Sequence, residues 1–139
     1  MSESTSTTAG LRCIVVTPEE TVLETAADFI ALPLYDGEMG VAVNHSPTIG
    51  RLGYGELRIR SGSESTRYYV DGGFVQIADN VVSILTNRAL EASDIDAEAA
   101  QEQLTSAISQ RAAGDEQLAI RDRQVAQSRA QLRVSGKAK

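Results

Sequence analysis

The 139-residue sequence has no tryptophan, only 4% aromatic residues, one cysteine and one histidine. A single cysteine excludes an internal disulfide and fits a reducing compartment. Cys13 lies in the apolar run 11–16, which predicts a buried, unreactive thiol. Cys13 and His45 are the single cysteine and the single histidine, which also disfavours a metal site or a cysteine–histidine catalytic pair. A core without many aromatic rings must be mostly aliphatic.

Basic residues are also few, since 13 Lys and Arg face 19 Asp and Glu, for a net charge of −6. Nucleic-acid binders need a basic face that replaces counterions, so no nucleic-acid partner is expected. No apolar run is long enough to cross a bilayer, so no direct membrane insertion is expected. Residues 1–10 are rich in Ser and Thr and lack arginine. They predict a flexible leader rather than a targeting sequence.

Short apolar segments separated by turn residues fill residues 11–90. One segment alternates so that Leu57 and Ile59 share a face while charged residues occupy the other. The Gly-Gly pair at 72–73 predicts a sharp bend, and residues 78–80 predict a hairpin connection. Many short strands at this spacing predict a β-sandwich or a flattened barrel.

The composition changes near Leu90, after which alanine, glutamine and glutamate dominate and aromatic residues are absent. Ser93 or Asp94 can cap a first helix, and Gly114 can end it and start a second. The second helix carries an aliphatic residue every seven positions: Leu118, Val125 and Leu132. Residues 91–139 therefore predict an antiparallel two-helix hairpin, and the chain as a whole an α+β fold.

The hairpin has few large aliphatic side chains for its length, so little burial offsets the entropy of ordering it. Two interpretations stay open: a hairpin loosely docked on the sheet and able to leave it, or an ordinary hairpin fixed in place. The basic residues of the second helix can pair with acids of the first helix or present a basic stripe to an acidic partner.

The segment from Pro33 to Pro47 displays an acid and a thioether at a tight corner. Asp36 and a following glycine predict a turn that presents Glu38 and Met39, and a second turn carries His45. The preferred interpretation of His45 is a loop histidine bonded to backbone. No recognisable pair of acids flanks an apolar cleft, so the residues favour a binding or mechanical protein over an enzyme.

Seven short motifs follow one another along the chain: DGEMGV at 36–41, NHSP at 44–47, GELRI at 55–59, YVDGGFV at 69–75, VVSILT at 81–86, DID at 94–96 and AQLRV at 130–134. In these motifs and their order the sequence resembles the epsilon subunit of rotary ATP synthases. The resemblance covers about Leu11 to Val134.

The resemblance implies an antiparallel β-sandwich of about ten strands over residues 11–90, followed by a regulatory hairpin over 91–139. It implies a non-catalytic central-stalk subunit without a cofactor, which binds the gamma subunit and the c-subunit ring. It also implies a hairpin that restrains ATP hydrolysis when it extends into the alpha/beta catalytic head. The implied location is peripheral, on the cytoplasmic face of the bacterial plasma membrane.

The resemblance also implies contact residues. Glu38, Met39 and His45 correspond to the ring-facing loops. The basic residues of the second helix become contacts to the catalytic head in an extended state: Arg121, Arg123 and Arg129.

The sequence departs from the family pattern at two places. In the nucleotide motif of some members Ile95 and Asp96 match, but Ala99 stands where an arginine belongs. Without that guanidinium a phosphate loses a charge-assisted partner, so weak or no ATP binding is expected. At the corner, Val43 replaces a common proline.

Two other functions remain as alternatives at this stage. One is a free-standing β-sandwich binding module that dimerises through its alanine-rich hairpin. The other is a small hydrolase that uses Asp36 or Glu38.

Overall fold

A computed structural model describes residues 10–137, so most of the predicted leader lies outside the described residues. In this part of the chain eight strands are followed by a 3-10 turn (Ala92–Asp94) and two helices, which confirms the predicted α+β class. The strands are β1 (Leu11–Val16), β2 (Thr21–Ala27), β3 (Phe29–Leu34), β4 (Gly37–Val41), β5 (Thr48–Ser61), β6 (Glu64–Ala78), β7 (Val81–Leu85) and β8 (Ala89–Glu91). The helices are α1 (Ala97–Ser109) and α2 (Gly114–Lys137).

The strands form one sheet in the order β2-β1-β7-β6-β5-β3-β4, with β8 paired to β6. β1 and β7 pair in parallel, and the other pairs are antiparallel. The sandwich is therefore mixed rather than wholly antiparallel. A parallel pair needs a long connection, and the intervening strands β2 to β6 supply it.

The two long strands explain how one sheet becomes a sandwich. β5 has 14 residues and β6 has 15, and the two pair along most of their length. The second half of β6 pairs with β7, and β7 pairs with β1, so these strands and the first half of β5 form one layer. In the other layer the second half of β5 pairs with β3, and the first half of β6 pairs with β8. Each long strand thus serves both layers, which reconciles the eight continuous strands with about ten expected.

The predicted bend at Gly72 and Gly73 lies where β6 passes between the layers. Both glycines have positive φ, 73° and 111°. A Cβ atom on Gly73 would collide with the carbonyl oxygen of Leu85. The predicted hairpin connection is also confirmed, because Asp79 and Asn80 adopt the positive φ angles of a tight turn between β6 and β7.

The core between the layers is aliphatic, as expected from the composition. Leu57 and Ile59 both belong to it, which confirms the predicted alternation. Cys13 is fully buried in the same core, and desolvation raises the pKa of its thiol to about 12. A thiol with so high a pKa carries little thiolate near neutral pH, so Cys13 is unreactive there.

The hairpin docks through the C-terminal half of α2. A second small cluster joins Tyr69 of β6 and Ala92 to Ala130 and Val134 of α2. The predicted seven-residue stripe is not the buried face, since Leu118 is 44% exposed while Ala130 is fully buried. The sheet selects which face of α2 is covered, and helical spacing alone does not encode that choice.

The start of α1 also differs from the expectation. Asp96, rather than Ser93 or Asp94, caps the helix by accepting a hydrogen bond from the Ala99 N–H at 3.1 Å. Neither helix in the described part of the chain is long and apolar enough to span a membrane.

Candidate functional site

The corner singled out from the sequence is the hairpin between β3 and β4. Leu34 pairs with Gly37, and Tyr35 and Asp36 form the turn between them. Glu38 is exposed, whereas Met39 is half-buried and packs against the main core. Because side chains alternate along β4, the displayed group at this corner is the Glu38 carboxylate. β4 is also the outer strand of its layer.

His45 lies in the turn that follows β4. Its Nδ1 is 2.8 Å from the Ser46 carbonyl oxygen, and its backbone N–H donates to the Ala42 carbonyl at 3.2 Å. The interpretation as a loop histidine bonded to backbone is therefore confirmed. The preceding Asn44 N–H donates to Asn80 Oδ1 at 2.6 Å, which ties this turn to the β6–β7 turn. Glu38 lies near the start of β4 and His45 lies beyond its end, so the two side chains are at opposite ends of this strand.

An exposed apolar face covers the outer side of the layer that contains β7. Phe74 of β6 and Leu85 of β7 are cross-strand partners and are 60% and 55% exposed. Ile49 and Tyr35 extend the exposed apolar surface, and Arg51 lies over the Tyr35 ring at 4.3 Å. Adjacent exposed apolar side chains mark interaction surfaces more often than chance.

Sequence reasoning did not single out this apolar face. The available signal was the pair Phe74-Val75, which places apolar residues on both sides of β6. Strand alternation predicts that one of the two must leave the core. In the structure Val75 is buried and Phe74 is outside.

An open groove of about 1320 Å³ lies between the apolar face and α2. Phe74, Leu85 and Tyr54 line it on the sheet side, and Ala119 and Arg123 line it on the helix side. The groove exists only while α2 is docked, so any partner that fills it contacts both parts of the chain.

The three arginines predicted to meet a catalytic head do not share one environment. Arg123 and Arg129 are exposed, whereas Arg121 is half-buried. Its Nε atom is buried without a hydrogen-bond partner among the described residues. Within residues 10–137 the ion pairs lie in the sheet, so the alternative of pairing between the acids of α1 and these arginines is not seen.

The contact between α2 and the sheet is polar as well as apolar. Gln127 Nε2 donates to Asp71 Oδ1 at 2.9 Å, and the Tyr69 hydroxyl donates to the same oxygen at 2.8 Å. Burial, and then the Asp71 carboxylate, raises the pKa of Tyr69, which keeps the phenol a donor. Ser128 is fully buried, and its Oγ has no partner among the described residues. A buried hydroxyl without a hydrogen-bond partner costs about 1–3 kcal/mol.

The two residues that match the nucleotide motif, Ile95 and Asp96, have structural contacts here. Asp96 Oδ1 accepts the hydrogen bond that caps α1, and Ile95 packs on the second cluster. Ala99 is exposed and offers no charge to a phosphate.

A smaller cavity of about 280 Å³ separates the corner from the end of α2, with Glu38, Glu56 and Arg133 in its lining. Glu56 forms ion pairs with Arg58 and Arg67. In the part of the chain that the structure describes, no group of three or more potential ligands could hold a metal ion.

Comparisons with known proteins agree with this architecture. The family model for the ATP synthase delta/epsilon chain, β-sandwich domain, matches residues 10–92. The ATP synthase epsilon chain of Rhodopirellula baltica is 48% identical over 125 residues, which cover 90% of this chain and 98% of that one. The epsilon chain of Rubrobacter xylanophilus is 38% identical over 97 residues, with 70% and 66% coverage.

Two solved assemblies contain chains of similar shape. One is the Euglena gracilis mitochondrial ATP synthase, OSCP/F1/c-ring, with a TM-score of 0.78, 25% identity and coverage of 94% and 82%. The other is the Tetrahymena thermophila mitochondrial ATP synthase central stalk and c-ring, with a TM-score of 0.72, 17% identity and coverage of 90% and 96%. The second likeness concerns the fold alone. With its matching sandwich, its docked helical hairpin and a relative that aligns over nearly its whole length, this chain belongs to the ATP synthase epsilon chain family.

Proposed function

We propose that this chain is a non-catalytic subunit of the central stalk, which joins the c-subunit ring to the gamma subunit and so couples ring rotation to the catalytic head. The observation that carries this proposal is the exposed Phe74–Leu85 pair on the outer face of a rigid sheet. A face of this kind loses water-exposed apolar area when a partner covers it, which favours a stable complex. The bacterial relatives support a peripheral place on the cytoplasmic face of a bacterial plasma membrane.

The gamma subunit is the proposed partner of the apolar face. A charge placed at the centre of an interface must be desolvated without a partner, so Phe74→Glu should reduce recovery of gamma by at least about tenfold. The measurement is a pull-down of the tagged chain from detergent-solubilised membranes. Ile108→Glu is the matched control, because Ile108 is an exposed apolar residue on α1 that does not line the groove beside this face.

Equal recovery of gamma with both variants would contradict the assignment of the face. Recovery of a stable dimer without gamma would instead favour the alternative of a free-standing module. The exposed apolar side chains of the hairpin give that alternative its physical basis: Ile108, Leu118 and Ile120.

The proposed ring contact is the corner, with Glu38 as its exposed group and Met39 and His45 as secondary contacts. We expect Glu38→Cys, labelled with a photoactivatable maleimide, to cross-link mainly to a c subunit in assembled membranes. Cys13 does not compete for the label, because it is buried and its pKa is about 12. Glu64→Cys is the control, since Glu64 is an exposed acid at the β5–β6 turn. A c-subunit product from both positions, or from neither, would contradict the contact.

We also propose that residues 91–139 act as a regulatory domain and residues 11–90 as the partner-binding domain. The polar docking contact and the small size of the second cluster, which has four buried residues, support a hairpin that can leave the sheet. In the extended state three arginines of α2 would meet acidic helices of the catalytic head: Arg121, Arg123 and Arg129. Opposite charge on the two surfaces favours and orients this encounter.

Binding of ATP by the isolated chain is expected to be weak. Because Ala99 supplies no guanidinium, we expect no saturable binding below about 1 mM in a calorimetric titration. Ala99→Arg should strengthen binding by about tenfold if the rest of the site is intact. Micromolar binding by the unmodified chain, abolished by Asp96→Ala, would contradict this prediction.

A further inference from the structure

The last turn of α2 meets a guanidinium that belongs to the sheet. Arg67 of β6 donates from Nη2 to the carbonyl oxygen of Val134 at 2.7 Å. Val134 is one of the last four residues of α2, whose carbonyl groups lack amide partners within the helix. The negative end of the helix dipole also lies there, so a cation is favoured at this position. Arg67 therefore caps a helix that is remote from it in sequence.

A buried carboxylate holds Arg67 in place. Arg67 Nε donates to Glu56 Oε2 at 2.6 Å, and Arg58 Nη1 donates to Glu56 Oε1 at 3.2 Å. The Arg67 side chain is 18% exposed, whereas that of Arg58 is 40% exposed. Because the guanidinium is a planar fork, fixing Nε on Glu56 directs the Nη atoms toward the helix.

A second polar contact lies on the same face of α2. Gln127 donates to Asp71, and Gln127 precedes Val134 by about two helical turns. Val134 itself is 2% exposed. Arg67 and Asp71 are both on β6, and Tyr69 between them belongs to the apolar cluster that covers α2.

We propose that Arg67 acts as a clamp: its hydrogen bond to Val134 raises the fraction of molecules in which α2 is docked on the sheet. The Val134 carbonyl can accept from Arg67 only when α2 is docked, so the bond stabilises the docked state and not the undocked state. When α2 leaves the sheet, Arg67 keeps its ion pair with Glu56, and water hydrates both Arg67 Nη2 and the Val134 carbonyl. Undocking therefore costs the sheet itself little stability. The clamp stands on the geometry of this chain, and only its effect on hydrolysis rests on the proposed function.

Hydrogen exchange of the purified full-length chain tests the clamp. Arg67→Met keeps the length of the side chain but removes the donor, so amides of residues 127–136 should exchange about tenfold faster, while amides of β1 and β7 keep their rates. Arg58→Met is the matched control, because Arg58 shares Glu56 but has no contact with α2 among the hydrogen bonds described above. It should change the same amides less than about threefold. Arg67→Lys, which keeps one charged donor, should fall between the two.

Unchanged exchange in α2 with Arg67→Met would overturn the clamp, and so would faster exchange of α2 and the sheet to the same extent. Equal effects of Arg58→Met and Arg67→Met would overturn it as well, because the Glu56 network would then be the cause. ATP hydrolysis by membranes carrying Arg67→Met separates the clamp from the regulatory role. Faster exchange with unchanged hydrolysis would support the clamp and contradict the proposed restraint of hydrolysis by the hairpin. Lower hydrolysis without faster exchange would overturn the clamp alone.

Discussion

Removal of all residues after Glu91 is expected to raise ATP hydrolysis by membranes about fivefold or more, because the proposed restraint of the catalytic head by the extended hairpin is then lost. The main core contains only residues of β1 to β7, so the sandwich keeps its packing without the hairpin. The sheet loses the cover of the second cluster over Tyr69 and Leu90, and it loses the hydrogen bonds of Asp71 and Arg67 to α2. The measurement is the hydrolysis rate of membranes from cells that produce the truncated chain.

Two controls are needed to interpret the effect of the truncation on hydrolysis. Recovery of gamma with the truncated chain shows that the complex is assembled. Replacement of Arg121, Arg123 and Arg129 by glutamine in the full chain removes the basic stripe and leaves the hairpin helical. It should release hydrolysis to a similar extent if these arginines contact the head. Unchanged hydrolysis in an assembled complex after truncation would refute the braking role.

Gly73→Ala is expected to destabilise the sheet by about 3–5 kcal/mol, which lowers its thermal midpoint by about 10 °C or more. The residue has a φ of 111°, which an alanine adopts only with strain. The added Cβ would also collide with the backbone carbonyl of Leu85, and a carbonyl within the β6–β7 pair cannot move without breaking the register. Thermal unfolding followed by circular dichroism measures the effect.

Gly62→Ala is the matched control for this prediction. Gly62 also has a positive φ, 64°, but a Cβ there would meet no atom within 4 Å. It should cost only about 1–2 kcal/mol, the price of the left-handed conformation alone. If the two substitutions cost the same, the collision with Leu85 is absent and the bend between the layers is placed wrongly.

Local patterns carried much of the prediction. The alternation around Leu57 and Ile59, the turn at Asp79 and Asn80 and the burial of Cys13 all follow from neighbours along the chain. The change in composition after Leu90 likewise separated a β region from a helical one. In such cases the physical rule acts over a few residues, so the sequence contains all of its terms.

Other features depend on partners far apart in the chain. The Arg67–Val134 bond joins residues 67 positions apart, and no periodicity in either segment indicates it. The cap of α1 was expected at Ser93 or Asp94 because several residues near its start can accept the same N–H bond, and the backbone path chose Asp96.

The sequence by itself therefore determined the sandwich, the hairpin and, through its ordered motifs, the family. Only the tertiary structure decided the parallel pairing of β1 with β7, the exposure of Phe74 beside Leu85, and the face of α2 that meets the sheet. The reason is that periodicity states which residues share a face, whereas packing between distant segments decides which face is covered and by what.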